Sequence, residues 1–258
     1  MRLLAPLVAL SLLAGCGADD EAADGPGALT IYVSAPLTGP ARGDGQDIAD
    51  GARMAFAAGD NEVDGFEVAA EYLDVAGRNE GRSDPVTAAG NARTATRDST
   101  AIAYIGELDS ATTRTSLPIT NSAGILQVAP GGGAEDLVRD QPFNDDVPTS
   151  VQATGDRTFA QLVPTYEEGE GPQALALDEL PPAGQDFVEA FQAKYGREPG
   201  PYAAYGYEAM ASVLAALDRA GDPESRDAVI EAYFDGTERD SVLGTYEITP
   251  EGESTLGR

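Results

Sequence analysis

Histidine and tryptophan are missing from this 258-residue sequence, and cysteine occurs once, as Cys16. Without histidine, neither a Ser-His-Asp nor a Cys-His catalytic set can be assembled. A single cysteine excludes an intrachain disulfide and a Cys/His zinc site. Basic residues are also scarce, because 16 Lys and Arg stand against 44 Asp and Glu and give a formal net charge of −28. So acidic a protein repels phosphate backbones and anionic headgroups, which argues against nucleic acid as a partner.

The rest of the composition is that of a globular protein. Hydrophobic residues make up 42% of the chain and charged residues 23%, a balance that disordered chains do not have. The length suits one large domain or two smaller ones, each with a buried core.

The start of the chain has the pattern of a secretory signal. A basic beginning is followed by the apolar residues 3–13, a run too short to span a bilayer. The sequence LAGC that ends at Cys16 resembles the bacterial lipobox, in which the cysteine is acylated. We therefore expect residues 1–15 to be a signal peptide, Cys16 to carry a lipid and residues 16–28 to form a flexible tether. The alternative is a buried free cysteine after a chance apolar start.

From residue 29, short apolar runs alternate with helical segments. The runs that predict strands are Thr30–Ala35, Val68–Val75, Ala101–Gly106 and Ile125–Ala129. Helices are predicted over residues 44–58, from the pair Asp84-Pro85 and from near Ser110. This alternation needs right-handed crossovers, so it predicts an α/β fold with a parallel sheet flanked by helices up to about residue 133.

The second half of the chain turns helical after an irregular stretch, residues 131–185, whose one short apolar run is Phe159–Val163. The spacing of Phe187, Phe191 and Tyr195 predicts a helix that ends at Gly196. The remaining predictions are a helix over Tyr205–Ala220 capped by Gly221, a helix over 226–235 and a strand over Val242–Ile248.

Five segments together carry a resemblance to a known family. They are IYVSAPLTGPARGDGQDIADGARMAF (31–56), AYIGELDSATT (103–113), GILQVAPGGG (124–133), the helical stretch 181–221 and LGTYEITPEGE (243–253). In this order they resemble the branched-chain amino-acid-binding family, the type I periplasmic binding proteins that feed ABC importers. The resemblance covers residues 29–133 and 181–253.

The resemblance implies two α/β lobes joined by hinge crossings, with the ligand in the cleft between them. It assigns residues 29–133 and 181–240 to the first lobe. Residues 134–180 and 241–258 remain as hinge crossings and a remnant of the second lobe, because this interval is too short for another doubly wound lobe. We therefore predict one lobe with a truncated second lobe.

The resemblance also implies a ligand site. Ser110 supplies the hydroxyl that contacts a ligand carboxylate, and Gly131 and Gly133 lie in the turn whose backbone completes the contact. A helix N-terminus at the carboxyl end of a strand suits this role, because its unpaired amides attract carboxylates. The alternative for Ser110 is a plain N-cap. Gly133 stands where the family often has threonine, so a side-chain hydroxyl is lost there.

Asp44 stands in the first loop, where some members of the family carry an aromatic wall of the side-chain pocket. A carboxylate there disfavours a purely aliphatic ligand and could pair with an ammonium or hydroxyl group. The alternative is that Asp44 caps the helix 44–58. Nothing in this chain aligns with the second-lobe residues that hold the ligand's amino group in the family.

One further motif suggests a cation. Positions 1, 3, 5, 6 and 12 of an EF-hand-like loop are matched by Asp60, Glu62, Asp64, Gly65 and Glu71. Glutamate at the third position and the strand-like alternation over 66–75 favour an acidic turn between a helix and a strand instead. No metal, cofactor or catalysis is predicted, since no nucleophile has a base to activate it and no Lys-Ser/Thr follows the glycine run.

The sequence thus predicts an extracytoplasmic substrate-binding component of an ABC importer, anchored by lipidated Cys16. Its solute would be a branched-chain amino acid or a related small carboxylate, and its partners an ABC permease and the membrane. Two alternatives stay open. An interaction or sensory lipoprotein would use the bare cleft face as an apolar docking patch and could self-associate, whereas a truncated relic would have no function.

Overall fold

Strands that alternate with helices make up most of the described part of the molecule. The computed structural model describes residues 27–59, 61–77, 83–139, 147–166 and 174–256. The strands are β1 (Ala28–Ala35), β2 (Glu62–Val63), β3 (Phe66–Asp74), β4 (Ala101–Ile105), β5 (Leu126–Ala129), β6 (Phe159–Gln161), β7 (Arg239–Ser241) and β8 (Gly244–Tyr246). The helices are α1 (Arg42–Ala58), α2 (Pro85–Arg97), α3 (Ser110–Ser122), α4 (Pro182–Tyr195), α5 (Tyr202–Arg219) and α6 (Arg226–Tyr233), with 3₁₀ turns at Glu135–Leu137 and Leu177–Glu179.

Six strands form one sheet in the order β2-β3-β1-β4-β5-β6. β1 pairs in parallel with β3 and β4, and β5 pairs in parallel with β4 and β6, while β2 runs antiparallel to β3. The four predicted strands are confirmed, with small differences at their ends. The predicted α/β class, a parallel sheet flanked by helices, is therefore confirmed.

Helices cover both faces of this sheet. Ile31 of β1 belongs to a buried cluster with Ile48 of α1 and Val213 of α5. Tyr32, whose side chain points to the opposite face, belongs to a second cluster with Ala95 of α2, and α2 packs against α3. Burial on both faces explains why these strands read as continuous apolar runs instead of alternating ones.

α1 and α5 approach each other through two glycines. A Cβ atom on Gly51 would lie 2.0 Å from the carbonyl oxygen of Ala203, and one on Gly206 would lie 2.2 Å from that of Ile48. Neither distance leaves room for a side chain, because the opposing atoms belong to rigid helical backbone.

Helix ends follow the sequence signals only in part. Asp84 caps α2 as predicted, because its carboxylate accepts the Thr87 amide at 3.1 Å. α4 ends as predicted at Gly196, which adopts a left-handed φ of 67°. The predicted cap Gly221 is wrong: α5 ends at Arg219, and the C-cap is Ala220, whose extended backbone needs no glycine.

The predicted strand over Val242–Ile248 is confirmed over Gly244–Tyr246, which is β8, and is wrong as one long strand. The chain instead forms the antiparallel hairpin β7–β8, and Gly244 adopts a φ of 118°, a conformation that allows the reversal. Tyr246 of β8 donates its hydroxyl proton to buried Glu208 of α5 at 2.6 Å. This bond fastens the hairpin to the helix.

β6 comes from the interval that the sequence left irregular. It pairs with β5, and Gln161 at its end also pairs with Glu253, which in turn binds Arg139 at 2.6 Å. Within the ranges that the structure describes, the other sheet is the two-stranded hairpin β7–β8. The division into a first lobe and a second-lobe remnant stays a prediction. Cys16, the predicted signal peptide and residues 16–26 of the tether lie outside the described residues.

Candidate functional site

Three loops meet at the carboxyl edge of the sheet. β1, β4 and β5 are parallel neighbours, so the loops that follow them lie side by side at the edge where open α/β sheets bind ligands. The loop after β4 leads into α3, and the loop after β5 contains Gly131 to Gly133. The sequence-predicted residues Ser110, Gly131 and Gly133 therefore come together.

Ser110 is the first residue of α3 and is buried. The prediction that it might serve as the N-cap is wrong, because Asp109 holds that position and its carboxylate accepts the Thr112 amide at 2.9 Å. The Ser110 hydroxyl is thus not used for capping. It accepts the Ala134 amide at 3.0 Å instead, which points it toward the glycine turn.

The glycine turn lies directly against the loop after β4. A Cβ atom on Gly131 would be 2.3 Å from the Leu108 carbonyl oxygen, and one on Gly132 would be 2.3 Å from Thr113 Oγ1. The Gly132 amide donates to the Glu107 carbonyl at 3.2 Å. Small residues are needed here because the two backbones are in contact, and this contact places the amide groups of residues 133 and 134 beside Ser110.

Tyr166 completes this cluster, and the sequence analysis missed it. Its hydroxyl oxygen lies 2.5 Å from Ser110 Oγ and 3.5 Å from the Gly133 amide nitrogen. The missed signal is the short apolar run Phe159–Val163, because a strand there, parallel to β5, places the following tyrosine at the same edge.

Gly133 has a steric reason to lack the side chain that the resemblance leads one to expect. A Cβ atom there would lie 2.6 Å from Val163 Cγ2, 3.1 Å from Tyr166 Cε1 and 3.2 Å from the Pro164 carbonyl oxygen. The segment after β6 therefore occupies the space that a threonine side chain would need.

Glu107 supports the cluster from beneath. The residue is fully buried, and its carboxylate accepts the Tyr104 hydroxyl at 2.7 Å and the Ser34 hydroxyl at 3.1 Å. Asn91 of α2 donates to the same Ser34 hydroxyl at 3.1 Å. Burial raises the pKa of Glu107 to about 7, although the two hydroxyl donors act in the opposite direction.

The first loop is held by Asp74 at the end of β3. Its carboxylate accepts the Leu37 amide at 2.9 Å and the Thr38 hydroxyl at 2.6 Å. Partial burial raises the pKa of Asp74, but these hydrogen bonds outweigh it and hold the pKa below its ordinary value. The carboxylate thus stays ionised and fixes the loop over the edge of the sheet.

Asp44 is not joined to the cluster. α1 begins at Arg42 after Ala41, so the prediction that Asp44 caps this helix is wrong, and the residue lies exposed in the first turn. Within the described part of the chain, no hydrogen bond connects Asp44 with Ser110. A role for Asp44 in ligand binding stays a prediction.

The acidic segment after α1 is a hairpin turn where the structure describes it. Asp64 and Gly65 form the turn between β2 and β3, and Glu71 lies within β3. Asp60, the first position of the EF-hand-like pattern, lies outside the described residues. Among the residues that are described, no three Asp, Glu, Cys or His side chains are grouped to hold a metal ion.

The expected apolar docking patch is not seen. Across the described ranges, Val86 is the single large hydrophobic residue that is exposed, at 79%, and one isolated side chain is ordinary for a protein surface. Of the helices described, none combines the length and apolarity needed to cross a bilayer.

Residues 149–255 match the family model described as periplasmic binding protein. This match includes residues 149–180, which lie outside the segments that carry the sequence resemblance. No curated protein matches the sequence.

Solved structures with this fold include binding proteins of ABC transporters. A leucine-binding protein from Thermotoga maritima is 17% identical with a TM-score of 0.67, over 88% of this chain and 93% of that chain. The branched-chain amino acid transporter substrate-binding protein of Streptococcus pneumoniae, in complex with isoleucine, is 13% identical with a TM-score of 0.65, over 88% and 93%. A solute-binding protein of an ABC transporter from Rhodopseudomonas palustris, in complex with 3,4-dihydroxybenzoic acid, is 13% identical with a TM-score of 0.68, over 89% and 91%.

At such identities the likeness shows the fold, which is that of a type I periplasmic binding protein lobe. The family model and the fold together confirm the resemblance to the periplasmic binding protein family that the sequence carries.

Proposed function

We propose that this chain is the substrate-binding component of an ABC importer and that it binds a small carboxylate-bearing solute at the carboxyl edge of the sheet. One observation carries the proposal: the Ser110 hydroxyl and the Gly133 amide converge on a single oxygen atom, the phenol oxygen of Tyr166, beside the N-terminus of α3. Such a set of donors suits a carboxylate oxygen, and the partial positive charge of the helix end adds to it.

The net charge of −28 makes this local arrangement necessary. The carboxylate of such a solute is repelled by the acidic surface as a whole, so it binds best where hydrogen-bond donors outnumber carboxylates. Backbone amides are such donors, because they have no negative charge that would repel the carboxylate. The glycine turn holds them in place.

The compared structures support an acid as the solute class. Isoleucine and 3,4-dihydroxybenzoic acid, the ligands in two of them, differ in their side groups and share a carboxyl group. We propose a branched-chain amino acid or a related small acid for this chain, with no catalytic role, and an ABC permease as the recipient of the solute.

Ligand binding can be tested by thermal melting of the full chain in detergent, with leucine, isoleucine and 3,4-dihydroxybenzoate as probes. A ligand that binds the native state raises the melting temperature, and at a concentration of 100 times Kd the gain is about 2.7 kcal/mol. Ser110→Ala should weaken binding about tenfold or more, because a hydrogen bond to a charged group is lost. Ser122→Ala, at the exposed end of the same helix, is the matched control and should leave binding unchanged. A cooperative melt that none of these probes moves would contradict the proposal.

Lipid anchoring at Cys16 is a second part of the proposal, supported by the LAGC sequence. Cys16→Ala expressed in a lipoprotein-processing bacterium should lose incorporation of labelled fatty acid and should no longer fractionate with the membrane. Fractionation of the variant with the membrane to the same extent as the parent protein would exclude this anchor, without bearing on the ligand site.

A further inference from the structure

The proposed ligand position is already filled by a side chain of the protein. The Tyr166 hydroxyl oxygen lies 2.5 Å from Ser110 Oγ and 3.5 Å from the Gly133 amide nitrogen. These are the two groups that the proposed function assigns to a ligand carboxylate. A ligand oxygen atom that contacts both the Ser110 hydroxyl and the Gly133 amide would have to occupy the place of the phenol oxygen. The two cannot be there together, because oxygen atoms joined by a hydrogen bond approach no closer than about 2.5 Å.

The hydrogen bonds of Ser110 are committed to this arrangement. Its hydroxyl carries one proton and can accept two bonds. It accepts the Ala134 amide at 3.0 Å and shares a second hydrogen bond with Tyr166. When Ser110 donates this second bond, its single proton is taken by the phenol, and a carboxylate that accepts the proton must replace the phenol as acceptor.

The Tyr166 side chain can rotate away from Ser110 while the Tyr166 backbone stays in place. The Tyr166 amide donates to the Gly133 carbonyl at 3.1 Å, and the preceding Thr165 is fixed by Gln161 at 2.9 Å and by Glu253 at 2.6 Å. The tyrosine side chain is only half-buried. Rotation about its χ1 bond into solvent breaks the two contacts of the phenol oxygen and the packing of the ring, but it leaves the bond of the Tyr166 amide and those of the Thr165 hydroxyl intact.

We infer that Tyr166 is an internal competitor of the ligand: its phenol oxygen occupies the carboxylate position in the ligand-free protein, and a solute binds by displacing it. This inference rests on the proposed function. It makes Tyr166 a determinant of affinity, because every solute that binds Ser110 and Gly133 must first break the contacts of the phenol, which lowers its apparent affinity.

Tyr166→Phe tests the inference, because it removes the competing oxygen and keeps the ring. The variant should bind isoleucine or 3,4-dihydroxybenzoate about tenfold more tightly than the parent protein in isothermal titration, and the gain should disappear in the double variant with Ser110→Ala. Tyr207→Phe changes a half-buried tyrosine of α5 and should leave affinity unchanged.

A spectroscopic readout follows the displacement of Tyr166 itself. In protein labelled with 3-fluorotyrosine, the ¹⁹F resonance that is lost in Tyr166→Phe identifies Tyr166, and saturating ligand should move it to the position of a solvent-exposed tyrosine. Binding by the parent protein with equal or weaker binding by Tyr166→Phe would overturn this inference and leave the proposed function standing. Absence of binding in both proteins would overturn the two together.

Discussion

Replacement of Gly51 by alanine is expected to lower the stability of the fold by about 3 kcal/mol or more, since overpacked positions commonly cost 1–3 kcal/mol and rigid ones exceed this. The added Cβ atom would lie 2.0 Å from the Ala203 carbonyl oxygen and 2.8 Å from the Tyr207 amide nitrogen. Both are backbone atoms of α5, so neither can rotate away. α1 and α5 would have to separate, and the contacts of Ile48 and Val213 would separate with them.

The measurement is the melting temperature, which should fall by about 10 °C for a chain of this size. Gly90→Ala is the matched control: Gly90 lies inside α2 with nothing within 4 Å of its added Cβ atom, so the substitution should stabilise the protein by about 0.5–1 kcal/mol. If Gly51→Ala and Gly90→Ala shifted the melting temperature in the same direction, the close α1–α5 contact would be refuted.

Replacement of Glu107 by glutamine is expected to remove a pH-dependent change of about 3 kcal/mol in the free energy of unfolding. Burial raises the pKa of this carboxyl from 4.5 to about 7, and each pKa unit corresponds to about 1.4 kcal/mol. The folded protein binds this proton more tightly than the unfolded chain does. The contribution of Glu107 to stability is therefore complete below pH 4.5 and is lost as the pH rises through 7.

Glutamine has nearly the same shape and no charge, so Glu107→Gln should gain about 3 kcal/mol relative to the parent protein between pH 4.5 and pH 8, measured by urea unfolding at each pH. Glu208, whose pKa burial also raises to about 7, keeps its own pH dependence in this variant. Glu189→Gln changes an exposed carboxylate of α4, and the free energy of unfolding of this variant should vary with pH as that of the parent protein does. A constant difference between Glu107→Gln and the parent across the pH range would show that Glu107 is not buried as described.

The sequence was informative wherever one local signal decided the outcome. The buried strands β1, β4 and β5 could be predicted because their apolar runs are continuous, and β3 could be predicted because its residues alternate. The ends of α2 and α4 could be predicted because Asp84 and Gly196 act through their own chemistry.

The features that were missed depend on distant partners. β6 has three residues, and it becomes a strand because β5 and Glu253 pair with it. Ser110 and Asp109 are both acceptable N-caps by residue type. In the structure Asp109 caps the helix, and the Ser110 hydroxyl binds the Ala134 amide, a partner that is distant in the sequence. Tyr166 could not be placed without β6. The geometry of the candidate site thus came from the tertiary structure, although its residues Ser110 and Gly133 came from the sequence.

The pairing of Gln161 with the chain around Glu253 also affects whether this edge of the sheet can pair with a strand of another copy of the protein. An open sheet ends in strands whose outer amide and carbonyl groups can recruit strands from other molecules. Here the Gln161 amide donates to the Gly252 carbonyl at 2.9 Å, and its carbonyl accepts the Ser254 amide at 3.2 Å. At the opposite margin, β2 is only two residues long. Both margins are thereby blunted against strand-by-strand aggregation.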